Sequence, residues 1–153
     1  MEWTVTNVFT RKLRRSDGAV AISIRKQSKA YLGYDPEGSF LFSVTPGSGR
    51  VLHAKVGEKA FDAVMRTAFS QKSAWFRPAR ADRIEFPWNG QVVRLTQTER
   101  RAFAVSAPST TGGITGMLGI KATVRLSTES DTLAALLYLF AAVMLHEDDI
   151  DVV

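Results

Sequence analysis

Residues 133–145 form an apolar run, LAALLYLFAAVML, in which Tyr138 alone adds a polar atom. Ser130 or Thr128 can cap a helix here, and Asp131 suits the positive end of the helix dipole. A helix that is apolar on every side must be surrounded by other parts of the protein. In a chain of 153 residues the available wrapper is a β-sheet. We therefore predict a helix over 130–146 that runs through a closed barrel.

Two other placements of this helix stay open from the sequence. A helix that caps the mouth of a small barrel would need a polar face, which the run lacks. A membrane tail anchor would need about 20 apolar residues, and Lys and Arg do not flank this run. Runs of about 10–14 apolar residues are more often buried helices, so we expect no transmembrane segment.

The rest of the chain is rich in short alternating segments that are typical of β-strands. Asn89-Gly90 between two of these segments is a strong signal for a tight hairpin turn. The predicted strands are 3–9, 19–24, 30–34, 40–44, 51–56, 84–88, 91–97, 101–106 and one or two within 117–126. The predicted fold class is mainly β (α+β), with a closed antiparallel barrel of about 10–12 strands wrapped around the C-terminal helix.

Two segments are predicted to interrupt the series of strands. Helical spacing relates a group of apolar side chains in the first half, namely Phe61, Val64, Met65, Ala68 and Phe69. This spacing predicts one additional amphipathic surface helix over about 58–71. Residues 107–115, APSTTGGIT, are predicted to form a loop because turn-forming residues dominate them.

Composition places the chain among ordinary globular domains. Hydrophobic residues make up 45% of the chain and charged residues 23%, and its length favours a single domain. We assign residues 1–147 to the barrel domain and 148–153 to an acidic tail. The absence of cysteine excludes disulfide scaffolds and thiolate metal sites. Since the N-terminal residues do not form a secretory signal either, we expect a cytoplasmic location, with peripheral membrane attachment as an option.

Charge is distributed unevenly along the chain. The net charge is +5, from 20 Lys and Arg against 15 Asp and Glu. All of the cations lie in residues 1–128, which carry +11, whereas the C-terminal segment carries −6. The last acids of that segment are Glu147, Asp148, Asp149 and Asp151. We interpret this tail as solvated, and its contact with the basic body stays an open alternative.

Many of the arginines and lysines occur in short clusters, which invites a polyanionic partner. A single cluster of this kind is commonly a solvated turn or strand end. We interpret the clusters together as a composite surface for an anionic ligand. The candidate ligand-binding residues are Arg14, Arg15, Arg25, Lys26, Lys29, Arg77, Arg80 and Arg83.

Patterns of catalytic or metal-binding residues are missing from the sequence. The two histidines, His53 and His146, fall on a predicted strand and at a helix end. The sequence contains no zinc-protease motif, nucleophile elbow or phosphate-loop spacing, and the acidic tail lacks the glycine turn of an EF-hand loop. We therefore expect no catalytic residues, no metal, no cofactor and no enzymatic activity.

Three stretches of the chain carry a resemblance to a known family. Residues 84–90, IEFPWNG, form an aromatic-Trp-x-Gly hairpin, the strand 91–97 follows it, and residues 130–148 form an apolar helix with an acidic end. Together they resemble the tubby C-terminal-like superfamily, which includes the LURP-one-related proteins and the phospholipid scramblases. The strand 91–97 takes the place of that group's Tyr-x-Trp strand, although Val93-Arg94-Leu95 replaces those aromatics. The resemblance implies a twelve-stranded barrel around a central hydrophobic helix, and phosphoinositide binding by some members.

Two classes of function stay open. The first is a non-enzymatic binding or scaffold module of tubby-like fold, whose basic residues engage anionic lipid headgroups such as phosphoinositides. The second is a small nucleic-acid-binding or protein-interaction domain that uses the same arginine-rich surface. Trp75, Phe76 and Arg77 combine stacking groups with a cation, as single-stranded nucleic acids require. The same three residues can equally anchor a loop on the barrel.

Overall fold

A computed structural model describes residues 1–7, 10–67 and 81–146. Within these ranges the chain forms twelve β-strands followed by one α-helix. The elements are β1 (Glu2–Asn7), β2 (Arg11–Arg15), β3 (Val20–Gln27), β4 (Ala30–Tyr34), β5 (Phe40–Pro46), β6 (Val51–Val56), β7 (Lys59–Arg66), β8 (Arg83–Trp88), β9 (Gln91–Glu99), β10 (Ala102–Ser106), β11 (Thr111–Thr115), β12 (Lys121–Leu126) and α1 (Asp131–Leu145).

The twelve strands form a closed antiparallel barrel. Each strand pairs with the next one along the chain, and β1 pairs with β12 to close the sheet. In that closing pair Trp3 lies opposite Val124 and Val5 opposite Ala122, and all four side chains are buried. Side chains alternate between the two faces of a strand, so this register directs the apolar residues inward. The predicted fold class, a mainly β closed barrel with a C-terminal helix, is confirmed.

The apolar helix α1 is buried against the inside of this barrel. All residues in 133–144 are buried, and the helix contacts β3, β9 and β12. Phe140 meets Phe86 of β8 edge to face, with 5.0 Å between the ring centroids. Ser130 caps the helix by accepting the N–H of Leu133 at 3.2 Å, and His146 follows its last turn. These two caps match the predicted helix bounds of 130–146.

The predicted amphipathic surface helix over 58–71 is wrong in the part that the structure describes, because β7 occupies it. Gly57, at φ +60°, makes a tight turn that returns the chain along β6 as a hairpin. Met65 is buried in the core, whereas Val64 next to it faces the other side of the sheet and is half-buried. The apparent helical spacing therefore combined side chains from both faces of a strand. Residues 68–71 lie outside the described ranges.

The predicted loop over 107–115 is wrong in its second half, where β11 forms. Ile114 is the one buried apolar side chain of this strand, so the alternating pattern is too weak to reveal it. Gly112 belongs there because a Cβ on it would lie 1.9 Å from the carbonyl oxygen of Arg125 on β12. The strand β2 was not predicted from the sequence either, since Leu13 is its single apolar residue among four cations.

No helix in the described part of the chain has both the length and the apolar character needed to cross a bilayer. The acidic tail assigned to 148–153 lies outside the described ranges. The chain enters that segment directly after α1, whose C-terminal cap is His146.

Candidate anion-binding site

The strand directions give the barrel two ends of opposite charge. At one end, which we call the basic end, the odd-numbered strands finish, the even-numbered strands begin and α1 ends. Its described cations are Arg11, Lys12, Arg25, Lys26, Lys29, Arg50, Arg66, Arg83, Arg100, Arg101 and Lys121. Its described acids are Asp82, Glu85 and Glu99, of which Glu85 lies within ion-pair distance of Arg66 and Arg83.

The opposite end, which we call the acidic end, contains the turns after the even-numbered strands and the N-terminus of α1. Its acids are Glu2, Asp17, Asp35, Glu37, Glu58, Glu129 and Asp131. Its cations are Arg14, Arg15, Lys55, Lys59 and Arg125.

Some carboxylates of the acidic end shape its turns. Asp35 Oδ1 accepts the backbone N–H of Ser39 at 2.8 Å, which tightens the turn between β4 and β5. Asp17 Oδ1 accepts the N–H of Ala19 at 2.9 Å in the turn after β2. Such side-chain contacts to nearby backbone are a common reason for Asp in turns. Local folding therefore accounts for part of the negative charge at this end.

A pocket of about 330 Å³ lies at the basic end, where β1, β2 and β3 run side by side. Its lining residues are Asn7, Thr10, Arg11, Ile24, Arg25 and Lys26. Leu13 and Ile24 point into the core and are buried. Because alternate residues of a strand share a face, Arg11 and Lys26 point to the same inner side, at the mouth of the barrel. The pocket thus places two cations at the barrel mouth.

Tyrosine rings lie beside both of these cations. The guanidinium carbon of Arg11 is 5.2 Å from the ring centroid of Tyr31 and 6.0 Å from that of Tyr138. The ammonium nitrogen of Lys26 is 5.6 Å from the ring centroid of Tyr31. Contacts of a cation with a ring face are favourable and orient the cation without neutralising its charge.

Tyr138 is the single polar side chain on the buried face of α1 near this pocket. Burial raises the pKa of Tyr138 above its ordinary value, and the nearby charge of Arg11 opposes that increase. The phenol therefore remains protonated at neutral pH and keeps a hydrogen to donate. The ring beside Arg11 is therefore uncharged and does not repel an anion held there.

The cations of the pocket lack acidic partners within the described ranges. Carboxylates there form ion pairs with other arginines, but with neither Arg11, Arg25 nor Lys26. Arg25 lies on the outer side of the sheet, with its guanidinium carbon 5.2 Å from the ring centroid of Tyr34. The three charges are therefore available to an anionic ligand.

The structure brings together three of the eight candidate residues. Arg25 and Lys26 line the pocket, and Lys29 lies next to them in the exposed turn between β3 and β4. Arg77 and Arg80 lie outside the described ranges. Arg25 and Lys26 are thus the part of the predicted surface that coincides with the pocket, and Lys29 lies beside them on the same hairpin.

The structure places Arg14 and Arg15 away from this pocket, at the acidic end. Arg14 donates to the carbonyl oxygen of Gly18 at 3.1 Å. Arg15 forms an ion pair with Asp131 at the start of α1, and Asp131 also accepts the indole N–H of Trp3 at 2.8 Å. Arg15 therefore fastens the helix to the barrel wall, so the two predicted arginines have structural contacts of their own.

Arg83 belongs to a separate group on the outer wall of the barrel. Its Nε lies 3.2 Å from Glu85 Oε1, close enough for an ion pair but without the geometry of a hydrogen bond. Arg66 and Arg94 lie 3.8 and 3.7 Å from the same carboxylate oxygen. One carboxylate thus serves as the ion-pair partner of three arginines. The group keeps a net positive charge, but its arginines already have an acidic partner.

The residues predicted for this site from the sequence do not include Arg11, Tyr31 or Tyr138. A signal for Arg11 was present, since it stands two residues before the apolar Leu13 and so faces the core side of its strand. The two tyrosines gave no such signal. The proximity of Tyr31 to Arg11 depends on the register of β2, β3 and β4, and that of Tyr138 depends on how α1 is rotated inside the barrel.

Neither metal coordination nor a catalytic constellation emerges from the described residues. No group of three or more His, Cys, Asp or Glu side chains within them is placed to hold a metal ion. His53 Nδ1 lies 2.7 Å from Asp62 Oδ1 on the outer surface, where both side chains are more than half exposed. Such an exposed pair has no enclosed space in which to bind a substrate.

Comparison with protein-family models, with curated proteins and with solved structures finds no match to this chain.

Proposed function

We propose that this protein is a non-enzymatic binding module of tubby-like fold that attaches to anionic membranes through its basic end. The closed barrel of twelve antiparallel strands with a buried C-terminal helix supports the tubby-like relationship, because it is the architecture that the resemblance implies. The pocket at Arg11 and Lys26 is the place where a phosphate of the lipid headgroup would bind.

The observation that carries the proposal is the separation of charge between the two ends of the barrel. Among the described residues, cations greatly outnumber acids at the basic end, and acids outnumber cations at the acidic end. A Lys or Arg close to an anionic membrane contributes about 1 kcal/mol, and salt screens that contribution. For the charges of the described residues, the protein therefore has an orientation that brings most cations close to the membrane and keeps most acids far from it.

Charge reversal at the two ends tests the proposal by vesicle co-sedimentation. We expect the triple variant Arg25→Glu, Lys26→Glu, Lys29→Glu to lose most of its binding to vesicles that contain phosphatidylserine or phosphoinositide. The matched control is Arg14→Glu, Lys55→Glu, Lys59→Glu at the acidic end, which has the same net charge. Equal loss in both variants would contradict a directed surface.

The same proteins distinguish the nucleic-acid alternative at matched salt. Binding to single-stranded RNA or DNA in a mobility-shift assay, without binding to anionic vesicles, would replace the membrane proposal by that alternative. Binding to neither polyanion would leave protein interaction as the function. Arg11→Gln measures the contribution of the pocket, since it should weaken binding to phosphoinositide more than binding to phosphatidylserine.

A further inference from the structure

The turn between β11 and β12, residues 116–120, exposes two large apolar side chains at the basic end. Leu118 is 46% exposed and Ile120 is 72% exposed. Ile120 is the most exposed of the large hydrophobic side chains in the described ranges. Isolated apolar side chains on a surface are ordinary, but two of them in one turn form a small projecting patch.

Hydrogen bonds to a neighbouring turn and to the end of β1 brace this apolar tip. The N–H of Met117 donates to the carbonyl oxygen of Arg101 at 3.1 Å, and the Met117 side chain is buried. The carbonyl oxygen of Ile120 accepts the N–H of Asn7 at 3.0 Å. With both sides of the turn fixed to the barrel, Leu118 and Ile120 remain directed outward.

The backbone at Leu118 is unfavourable for its side chain. Its φ is +68°, in the left-handed region that glycine and asparagine tolerate better than leucine. A large apolar residue therefore stands, exposed, at a position where local folding favours other residues. Folding does not explain leucine at this position, whereas contact with an apolar environment outside the protein does.

Cations lie on both sides of the tip. Arg100 and Arg101 form the turn between β9 and β10, which is hydrogen-bonded to the tip, and Lys121 follows Ile120 directly. Apolar side chains next to Lys and Arg match the layered chemistry of an anionic bilayer, in which phosphates lie above acyl chains. A partner protein would need a small pocket surrounded by acids to match this tip equally well.

We propose that Leu118 and Ile120 insert into the outer acyl region of an anionic bilayer while the neighbouring cations contact its phosphates. This inference rests on the proposed membrane function and adds the depth and orientation of binding to it. The axis of the barrel then points toward the membrane, with the acidic end farthest from it.

Site-specific fluorescence tests the insertion directly. Because the sequence has no cysteine, Ile120→Cys can carry a single environment-sensitive fluorophore on the otherwise unmodified protein. Vesicles of phosphatidylcholine and phosphatidylserine should shift its emission to the blue, and spin labels on the acyl chains should quench it. Glu37→Cys at the acidic end is the matched control and should show neither change.

The outcomes separate the two proposals. Co-sedimentation with these vesicles but no spectral change at position 120 would overturn insertion and leave the membrane function standing. Failure to co-sediment would overturn both. A change at both labelled positions would also contradict the inferred orientation.

Apolar-to-polar variants provide a second readout that needs no label. Leu118→Asn and Ile120→Ser should each weaken vesicle binding by about tenfold, from the transfer energy of one partly buried aliphatic side chain. Phe40→Ser and Val92→Ser are controls, because both residues are more than half exposed near the acidic end. If Ile120→Ser leaves vesicle binding unchanged and instead abolishes self-association in solution, the tip is a protein interface and the proposal is wrong.

Discussion

Asp131 connects three parts of the molecule at the residue scale. Its carboxylate accepts the indole N–H of Trp3, forms an ion pair with Arg15 and lies in the first turn of α1. The hydrogen bond from Arg15 lowers the pKa of Asp131, with a further contribution from Trp3, while partial burial opposes both. One carboxylate therefore ties the central helix to β1 and β2.

Replacement of Asp131 should reveal two separable contributions. Asp131→Ala leaves the buried indole N–H of Trp3 without its acceptor and should lower the free energy of unfolding by about 2 kcal/mol. Asp131→Asn keeps an oxygen that accepts the Trp3 indole N–H and loses only the exposed ion pair. Its free energy of unfolding should therefore fall by about 1 kcal/mol or less. Urea unfolding at pH 7 measures both, and equal losses would contradict the role of the indole.

The difference in free energy of unfolding between the unmodified protein and Asp131→Asn should depend on pH. The direction of the pKa shift sets the sign of that dependence. Since folding lowers the pKa of Asp131, the ionised carboxylate stabilises the protein above its unfolded pKa of about 3.9. The unmodified protein should therefore exceed Asp131→Asn in free energy of unfolding by the full amount at pH 6. The excess should shrink as the pH falls below about 4. An advantage that grew on acidification would show that the pKa is raised instead.

Replacement of Leu118, unlike replacement of Asp131, should not lower the free energy of unfolding. Because asparagine tolerates its positive φ better than leucine does, Leu118→Asn should leave the free energy of unfolding unchanged or raise it by about 0.5–1 kcal/mol. Thermal melts of this variant and of Ile120→Asn, whose φ is not positive, supply the comparison. Clear destabilisation by Leu118→Asn alone would mean that the leucine contributes to folding.

At the scale of elements, the helix α1 is the centre of the core and should tolerate no charge. Leu137 is fully buried, so Leu137→Asp should abolish cooperative folding. Leu137→Ala only creates a cavity, so it should lower the free energy of unfolding by about 2–5 kcal/mol while the barrel is retained. Far-UV circular dichroism and urea titration distinguish the two results. Normal folding of Leu137→Asp would contradict an enclosed helix.

How much of the fold the sequence predicts depends on how many faces of an element are apolar. The helix was predictable because apolar residues cover all of its sides, and β8 and β9 were predictable from alternation around Asn89-Gly90. The strand β7 was not, since Val64 on its outer face completed a false helical pattern. Short strands with one inward apolar residue, such as β11, gave almost no pattern.

The site was predictable in composition but not in position. Arg25, Lys26 and Lys29 were found because they are close in sequence and share one hairpin. Arg15, although close to Arg11 in sequence, lies at the other end of its strand and pairs with an acid on α1. Which cations meet at one end depends on strand direction and barrel closure, and neither property belongs to a local segment.

At the scale of the whole molecule, the acidic residues that follow α1 act on the electrostatic potential of the basic end. The chain leaves α1 at that end, and its next acids are Glu147, Asp148, Asp149 and Asp151. Chain length alone keeps residues 147–153 within about 25 Å of His146. Their charge therefore reduces the positive potential where we propose that the membrane binds.

Neutralisation of these acids should strengthen binding to anionic vesicles. The variant Glu147→Gln, Asp148→Asn, Asp149→Asn, Asp151→Asn has a net charge of +9 instead of +5. We expect roughly tenfold tighter binding at low salt and a smaller gain at high salt, since the effect is electrostatic. Titration of vesicles against labelled protein measures both values.

A matched variant separates the position of charge from its amount. Asp17→Asn, Asp35→Asn, Glu37→Gln, Glu58→Gln also gives +9, but it removes the acids from the acidic end. That end is about 20 Å from the basic end, the length of a six-residue strand, and the screening length at 0.1 M salt is about 10 Å. Its effect on vesicle binding should therefore be much smaller. Equal gains from the two variants would mean that the protein binds by total charge in no fixed orientation, and the directed basic surface would have to be abandoned.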